Sequence, residues 1–368
     1  MSTPPAPIPY VDLASQNAAL VDDLLERVRR VLIHGQSILG PEVGELECAL
    51  AGYLGVQHVV GVNSGTDALV LALAAHGIGP GDEVVVPAHT FLATASAVCA
   101  VGATPVFADV DAETMVVSAE TLAAQLTPRT RALIPVHLNG FPCDMDPIDA
   151  LARARGLILL EDAAQALGAT RDGRKAGTWG TGCFSLHPLK VLGACGDAGF
   201  VSTDDDALAE QLRQRRNIGL RNRDEAALIA TNTRLDTLQA AILLGKLPHL
   251  EAWIARRNAH ARAYREALAG LATLPPEAPS VRAVQTPFVL RIEEERDRVR
   301  KRLAEAGIDT RIHYPIPVHR QAPYRRFARG PLPVTERLVE IILSLPCSPE
   351  LGDAQRTRLI EHLQAELA

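Results

Sequence analysis

The sequence has no paired-cysteine motif, no surplus of basic residues, no long apolar run and no Asn-x-Ser/Thr sequon, and each absence narrows what the chain can be. Its six cysteines (Cys48, Cys99, Cys143, Cys183, Cys195 and Cys347) are scattered without CxxC spacing, which argues against a disulfide framework and against a structural zinc site. Reduced thiols in a cytoplasmic protein fit best. The formal net charge is −6 with both signs interspersed, so no basic stripe offers a footprint for nucleic-acid phosphates. Residues 213–223 (RQRRNIGLRNR) are locally basic but short and without interleaved aromatics. They read as a solvated helix end that an anionic substrate could still use. No stretch approaches the roughly 18 uninterrupted apolar residues of a membrane span. The opening MSTPPAPIPYVDL lacks a basic segment followed by an apolar one, so neither export nor a membrane role is expected. That Pro-rich opening reads as a loose arm.

What is present suits an ordinary globular protein: 368 residues, 47% hydrophobic and 22% charged, enough for a large and a small domain. Apolar positions from Leu20 to Leu50 recur at helical spacing and break near Gly35 and Gly40, which predicts two helices around a turn. From Val56 onward β-rich runs alternate with amphipathic ones: VQHVVGV then a helix from Thr66, DEVVVP then one from Ala93, TPVFADV then one from Ala119. RALIPVHL, GLILLED and GFVST continue the series. The economical architecture is α/β, a mainly parallel sheet covered by helices on both faces, with ligands at the C-terminal ends of its strands. A long helical pattern begins near Arg234 and is interrupted at Pro248. It predicts a large domain over 1–248 and a smaller α+β domain over 249–368, with helices at 297–306 and from Asp353.

The segment CFSLHPLKVLGACGDAGF sets Lys190 between a strand-like run and a flexible Gly/Ala loop. A lysine whose ammonium is desolvated loses its proton readily, and the free amine can condense with an aldehyde. Alone, Lys190 reads far more readily as a surface lysine with a solvated head. In LILLEDAAQALGA an apolar strand ends at Asp162, where a carboxylate can hold a protonated pyridine nitrogen or simply cap the next helix. Gln165, three residues on, can donate to a phenolic oxygen. In GVNSGTDALVLAL, Gly65 and Thr66 open a helix after a strand, a ready phosphate site that is also a common cap. Ser185 offers another hydroxyl, and Phe91 could stack on a planar ring or belong to the core. His89, His137 and His187 lack metal-ligand spacing and read as supporting or structural residues, so no metal is expected.

In this order and at these spacings the segments resemble the DegT/DnrJ/EryC1/StrS family of pyridoxal-phosphate aminotransferases. The likeness runs from IPYVDL through NSGTDAL, PAHTFLATASA, EDAAQALGA, FSLHPLK and NTRLDTLQAA to IHYPIPVHRQAPY and LSLPCSPEL. It implies the aspartate-aminotransferase fold, whose large domain carries a mainly parallel seven-stranded sheet. It also implies pyridoxal 5′-phosphate bonded to Lys190, with Asp162 on the pyridine nitrogen, Gln165 on the phenolic oxygen, Phe91 stacked, and Gly65, Thr66 and Ser185 on the phosphate. The family's dimeric arrangement implies that Asn232 reaches the cofactor phosphate of a neighbouring subunit and that Arg234 lies near the substrate. Val191, Ala198 and Asn139 depart from the family's common residues, which weakens any transfer of fine substrate preference. IHYPIPVH is similar to the branch that aminates C-3 of nucleotide-linked sugars, with His313 and Tyr314 flanking the sugar, although the loop could equally be a Pro-ordered turn.

The activity so implied is transfer of the amino group of L-glutamate, in two half-reactions, to a 3-keto sugar on dTDP or UDP. Alternatives are a 4-keto nucleotide sugar, a free cyclitol ketone, or a cofactor-binding regulator without turnover. A dehydrating branch of the family carries His at the lysine position, and Lys190 speaks against it.

Overall fold

A computed structural model of the chain describes residues 6–368. Seven runs form the principal sheet: β1 (His58–Val62), β2 (Glu83–Pro87), β3 (Thr104–Ala108), β4 (Thr130–Leu133), β5 (Ile158–Asp162), β6 (Thr181–Ser185) and β7 (Gly199–Thr203). Their spatial order is β1-β7-β6-β5-β4-β2-β3. From β3 across to β6 neighbours run parallel, whereas β7 is antiparallel to both β6 and β1. β1 to β6 therefore all end at one edge of the sheet, where their following loops gather. The mainly parallel seven-stranded α/β sheet expected from the sequence is present.

Strand residues alternate between faces, and both faces are covered. Val84 and Val86 of β2 pack in one hydrophobic cluster and Val85 in another. Burial on both sides explains why these strands read as unbroken apolar runs. Before the sheet, after a short helix at Leu13–Ala18, come the two expected helices, α1 (Val21–His34), ended by Gly35 in the left-handed region at φ 74°, and α2 (Pro41–Leu54). The first two crossover helices are α3 (Gly65–Ala75) and α4 (Leu92–Ala100). The helix expected from Ala119 is only the short Ala119–Ala123.

The pattern from Arg234 resolves into α5 (Thr237–Lys246), a single 3₁₀ turn Leu247–His249, and α6 (Leu250–Leu268). Pro248 stands in that turn because it lacks the N–H that α5 would need to continue. Beyond it, β8 (Phe288–Arg291) and β9 (Ile342–Leu345) form an antiparallel pair. Their core of Phe288, Leu290, Leu343 and Leu345 packs with residues of α6, of α7 (Arg296–Glu305) and of α8 (Asp353–Leu367). A small sheet of two-residue strands (Thr170–Arg171, Arg174–Lys175 and Val281–Arg282) has too few residues to show alternation in sequence.

The opening segment departs from the expectation of a loose arm, as far as it is described; residues 1–5 lie outside the described residues. Ile8 is fully buried among Phe288, Leu290 and Ile308. Its N–H donates to Gly307 O at 2.8 Å, and Asp309 N–H donates to Ile8 O at 3.0 Å. Apolar burial and backbone pairing together fix it to the C-terminal part of the chain. Among the described residues no helix is long and apolar enough to cross a membrane.

Candidate active site

The C-terminal edge of the sheet faces the C-terminal part of the chain across a cavity of about 510 Å³. Its floor is made by strand ends. β1 leads through Ser64 into α3, and the Ser64 hydroxyl accepts from Asp67 N–H at 3.0 Å, which leaves Gly65 and Thr66 on the cavity. Gly65 packs on the end of β6 so closely that a Cβ there would lie 2.6 Å from Ser185 Cβ. Only glycine permits that approach. Helix start, Thr66 hydroxyl and Ser185 hydroxyl thus converge, an arrangement suited to an anion such as phosphate.

Asp162 ends β5 and is buried; its Oδ2 accepts from Thr94 Oγ1 at 2.8 Å and its Oδ1 from Ala164 N–H at 3.2 Å. Thr94 Oγ1 lies 2.9 Å from Thr90 Oγ1. Burial pushes the Asp162 carboxyl up from its ordinary range, against those two hydrogen bonds and the nearby Lys190 charge, which pull it down. Lys190 shares the cavity, and burial lowers its ammonium pKa while Asp162 opposes the shift. The pair is thus a poorly solvated carboxylate near an amine inclined to be free. A protonated ring nitrogen would give Asp162 the cation it lacks, so these residues fit pyridoxal phosphate.

The adjacent carboxylate has another task. Glu161 is fully buried and accepts from Gly177 N–H at 2.8 Å, Trp179 N–H at 2.6 Å and Gly180 N–H at 2.9 Å. It lies 3.0 Å from His137 Nε2, while His137 Nδ1 accepts from Cys143 N–H at 3.0 Å. Nδ1 being an acceptor, Nε2 carries the proton toward Glu161. Glu161 and His137 are therefore structural, and His137 N–H also donates to Asp162 O at 3.0 Å.

Three residues past the end of β5, Gln165 reaches toward the opposite wall and is held at both ends: its Oε1 accepts from Asn139 N–H at 2.7 Å and its Nε2 donates to Tyr314 Oη at 3.0 Å. One Nε2 hydrogen remains for a ligand. Phe91, 53% exposed, sits 5.6 Å from the Tyr314 ring. His313 Nδ1 lies 2.9 Å from Ser344 Oγ, its ring stacks on Tyr10 at 5.6 Å, and its backbone O faces His89 Nε2 at 3.1 Å. Burial, with help from Lys190, lowers His313 to about 4, so its imidazole is neutral at pH 7. His187, read from sequence as supporting, lines the cavity.

Asn232 and Arg234 do not join this lining. Asn232 is exposed and pairs through its backbone with Asn217, whose Oδ1 accepts from Arg234 Nη1 at 3.0 Å. Sequence reasoning missed Thr94, Tyr10 and Arg257. Thr94 and Tyr10 stood inside the segments PAHTFLATASA and IPYVDL that carry the family likeness; Arg257 offered no local signal.

The sequence model of the DegT/DnrJ/EryC1/StrS aminotransferase family matches residues 19–364. The chain belongs to this family. It is 46% identical over 96% of both chains to the UDP-N-acetyl-3-dehydro-alpha-D-glucosamine 3-aminotransferase of Acidithiobacillus ferrooxidans. It is 45% identical, over 96% of this chain and 94% of the other, to the dTDP-3-amino-3,4,6-trideoxy-alpha-D-glucose transaminase of Streptomyces venezuelae. The crystal structure of S. venezuelae DesV in complex with a ketimine intermediate superposes with a TM-score of 0.96, at 43% identity over 99% of each chain. For a DegT/DnrJ/EryC1/StrS aminotransferase, then, the cavity between sheet edge and C-terminal wall is the candidate active site.

Proposed function

We propose that this aminotransferase uses pyridoxal phosphate to move the amino group of L-glutamate to C-3 of a keto sugar carried on UDP or dTDP. The observation that carries the reading is the desolvated Lys190 amine beside the buried Asp162 carboxylate on one cavity. The relatives' names support C-3 and a nucleotide carrier. When bound, the cofactor supplies an aldehyde that condenses with amines and a ring that withdraws electrons from the carbon losing its proton. Gly65, Thr66 and Ser185 hold its phosphate, Asp162 its ring nitrogen, Gln165 its phenolic oxygen, and Phe91 covers the ring face. Lys190 Nζ would carry the proton from the donor's α-carbon to the cofactor carbon that takes the nitrogen in the first half-reaction, and from that carbon to C-3 of the sugar in the second. His313 and Tyr314 bound the space for the sugar.

The enzyme works as a cytoplasmic homodimer in which Asn232 and Arg234 complete the partner's site. Exposed Ile218 and fully exposed Ile229 flank the bend that leads to Asn232, an apolar surface suited to cover by a second copy. The chain divides near residue 248 into cofactor and small domains.

Adding L-glutamate to the holoenzyme is expected to shift its visible absorbance. A parallel supply of UDP- and dTDP-linked 3-keto and 4-keto sugars then identifies the acceptor by product mass. Turnover of the 4-keto sugars alone would overturn the C-3 assignment. Mixing inactive K190A and N232A subunits in equal amounts restores about a quarter of the sites if the dimer shares them, and none if it does not.

A further inference from the structure

Three arginines are nearly fully buried: Arg216 (7% exposed), Arg257 (6%) and Arg296 (8%). Buried cations need compensation. Arg216 has Glu47 and Arg296 has Asp297, but Arg257 forms no salt bridge among the described residues. Its Nη1 donates to Cys347 O at 3.1 Å, and its Nε has no partner. The nearby Glu350 carboxylate acts on Arg257 only through its field: its Oε1 accepts from Gln16 Nε2 at 2.9 Å, its buried Oε2 has no partner, and neither oxygen is within salt-bridge distance of the guanidinium. Arg257 lines the same cavity as Lys190, as do Tyr10 and Ser348. The cavity thus has a second pole: an underused guanidinium on the wall opposite the strand ends, held by α6 and the segment after β9.

We propose that Arg257 is the anchor for a carboxylate of the amino-acid donor. A guanidinium meets a carboxylate through parallel N–H donors, which orients as well as attracts. A dicarboxylic amino acid with its α-carbon at Lys190 then spans the cavity toward α6. This rests on the donor reading given above, and it assigns a role to a residue outside the cofactor's contacts. The other source of a carboxylate in such a site is the acceptor, were it a uronic acid.

The test uses holoenzyme R257Q and R257K, each half-reaction followed separately by absorbance, with glutarate binding measured by calorimetry. R257Q keeps a donor for Cys347 O but removes the charge. It is expected to weaken apparent glutamate and glutarate binding at least about 30-fold, while the keto-sugar half-reaction keeps its concentration dependence within about threefold. R257K, which keeps a point charge, recovers part of the glutarate binding, and it carries the test if R257Q does not fold. Equal damage to both half-reactions would mean a bracing role only, and damage confined to the sugar half-reaction would assign the charge to the acceptor. Either result overturns the proposal, as does unchanged glutamate binding. Should wild-type holoenzyme not respond to glutamate at all, the donor reading fails, while glutarate calorimetry still decides whether Arg257 binds carboxylates.

Discussion

On one side of the cavity Asp162, Gly65 and Ser185 stand at the ends of neighbouring or near-neighbouring strands of a single sheet, whereas on the other Tyr10, Arg257, His313 and Ser348 come from four distant stretches of chain. The floor is held by a continuous backbone ladder, and its side chains inherit that precision. The wall is held by side-chain contacts: Tyr10 on His313, His313 on Ser344, Gln165 on Tyr314. A sheet edge tolerates little variation without loss of the sheet, while a wall made of separate segments can change one residue at a time. Under the proposed function, most cofactor contacts fall on the floor and substrate choice falls to the wall.

The sharpest way to break that division is at Lys190. K190A is expected to lower turnover by about 10⁴-fold and remove the holoenzyme's visible band, with little change in denaturant midpoint. Full turnover would sink the assignment. The neighbouring carboxylates of β5 come next and should separate by readout. E161A leaves two buried backbone N–H groups, the half-buried one of Gly180 and His137 without their acceptor and should cost about 3–5 kcal/mol of stability in urea titration. D162N should instead lower turnover about 10²–10³-fold in a stably folded protein. If both variants lose mainly stability, the floor has no separate chemical component.

A third measurement concerns the acid dependence of the place where the strand ends meet the wall, His89 Nε2 against His313 O. His89 and His313 both fall to about 4 through burial, below the ordinary 6.5. At pH 7 neither the folded nor the unfolded chain protonates them, and stability is fully present. Between pH 6.5 and 4 the unfolded chain takes up protons that the folded one refuses, so stability is lost at up to about 1.4 kcal/mol per pH unit for each histidine. Urea midpoints from pH 7.5 to 4 should show that slope, and H89N should flatten it. The smallest expected effect is T94V, which removes one hydroxyl from Asp162. It should lower turnover roughly five- to tenfold through orientation of the carboxylate, with about 1 kcal/mol or less of stability lost.

The division also explains what could be read without coordinates. Each floor residue lies within a few positions of a strand end, so a strand, a turn and a helix start in one short motif revealed Gly65, Thr66, Asp162 and Ser185 together. Lys190 and Asp162 were visible separately, but their shared burial was not, because it depends on strands β5 and β6 lying side by side. The wall was legible only where a Pro-rich loop marked it, at His313 and Tyr314. Arg257 sits in a helix crowded with arginines, and which of Arg256, Arg257 and Arg262 turns inward depends on how α6 packs. Tyr10 belonged to the Pro-rich opening that reads as a loose arm. Its fixed position follows from Ile8 pairing with Ile308, three hundred positions later.

The two acids that end β5 hold one more lesson. Glu161 and Asp162 project from opposite sides of the strand, one stitching the loop at 177–180 and the other serving the cavity. Inserting a single residue upstream in that strand would bring Glu161 to the cavity and Leu160 to the loop, and deleting one would bring Asp162 to the loop and Ala163 to the cavity, so either change costs one site its acid. Lineages descended from such an enzyme can lengthen its loops freely, but this strand is frozen against changes of length. New specificities must therefore enter from the other side.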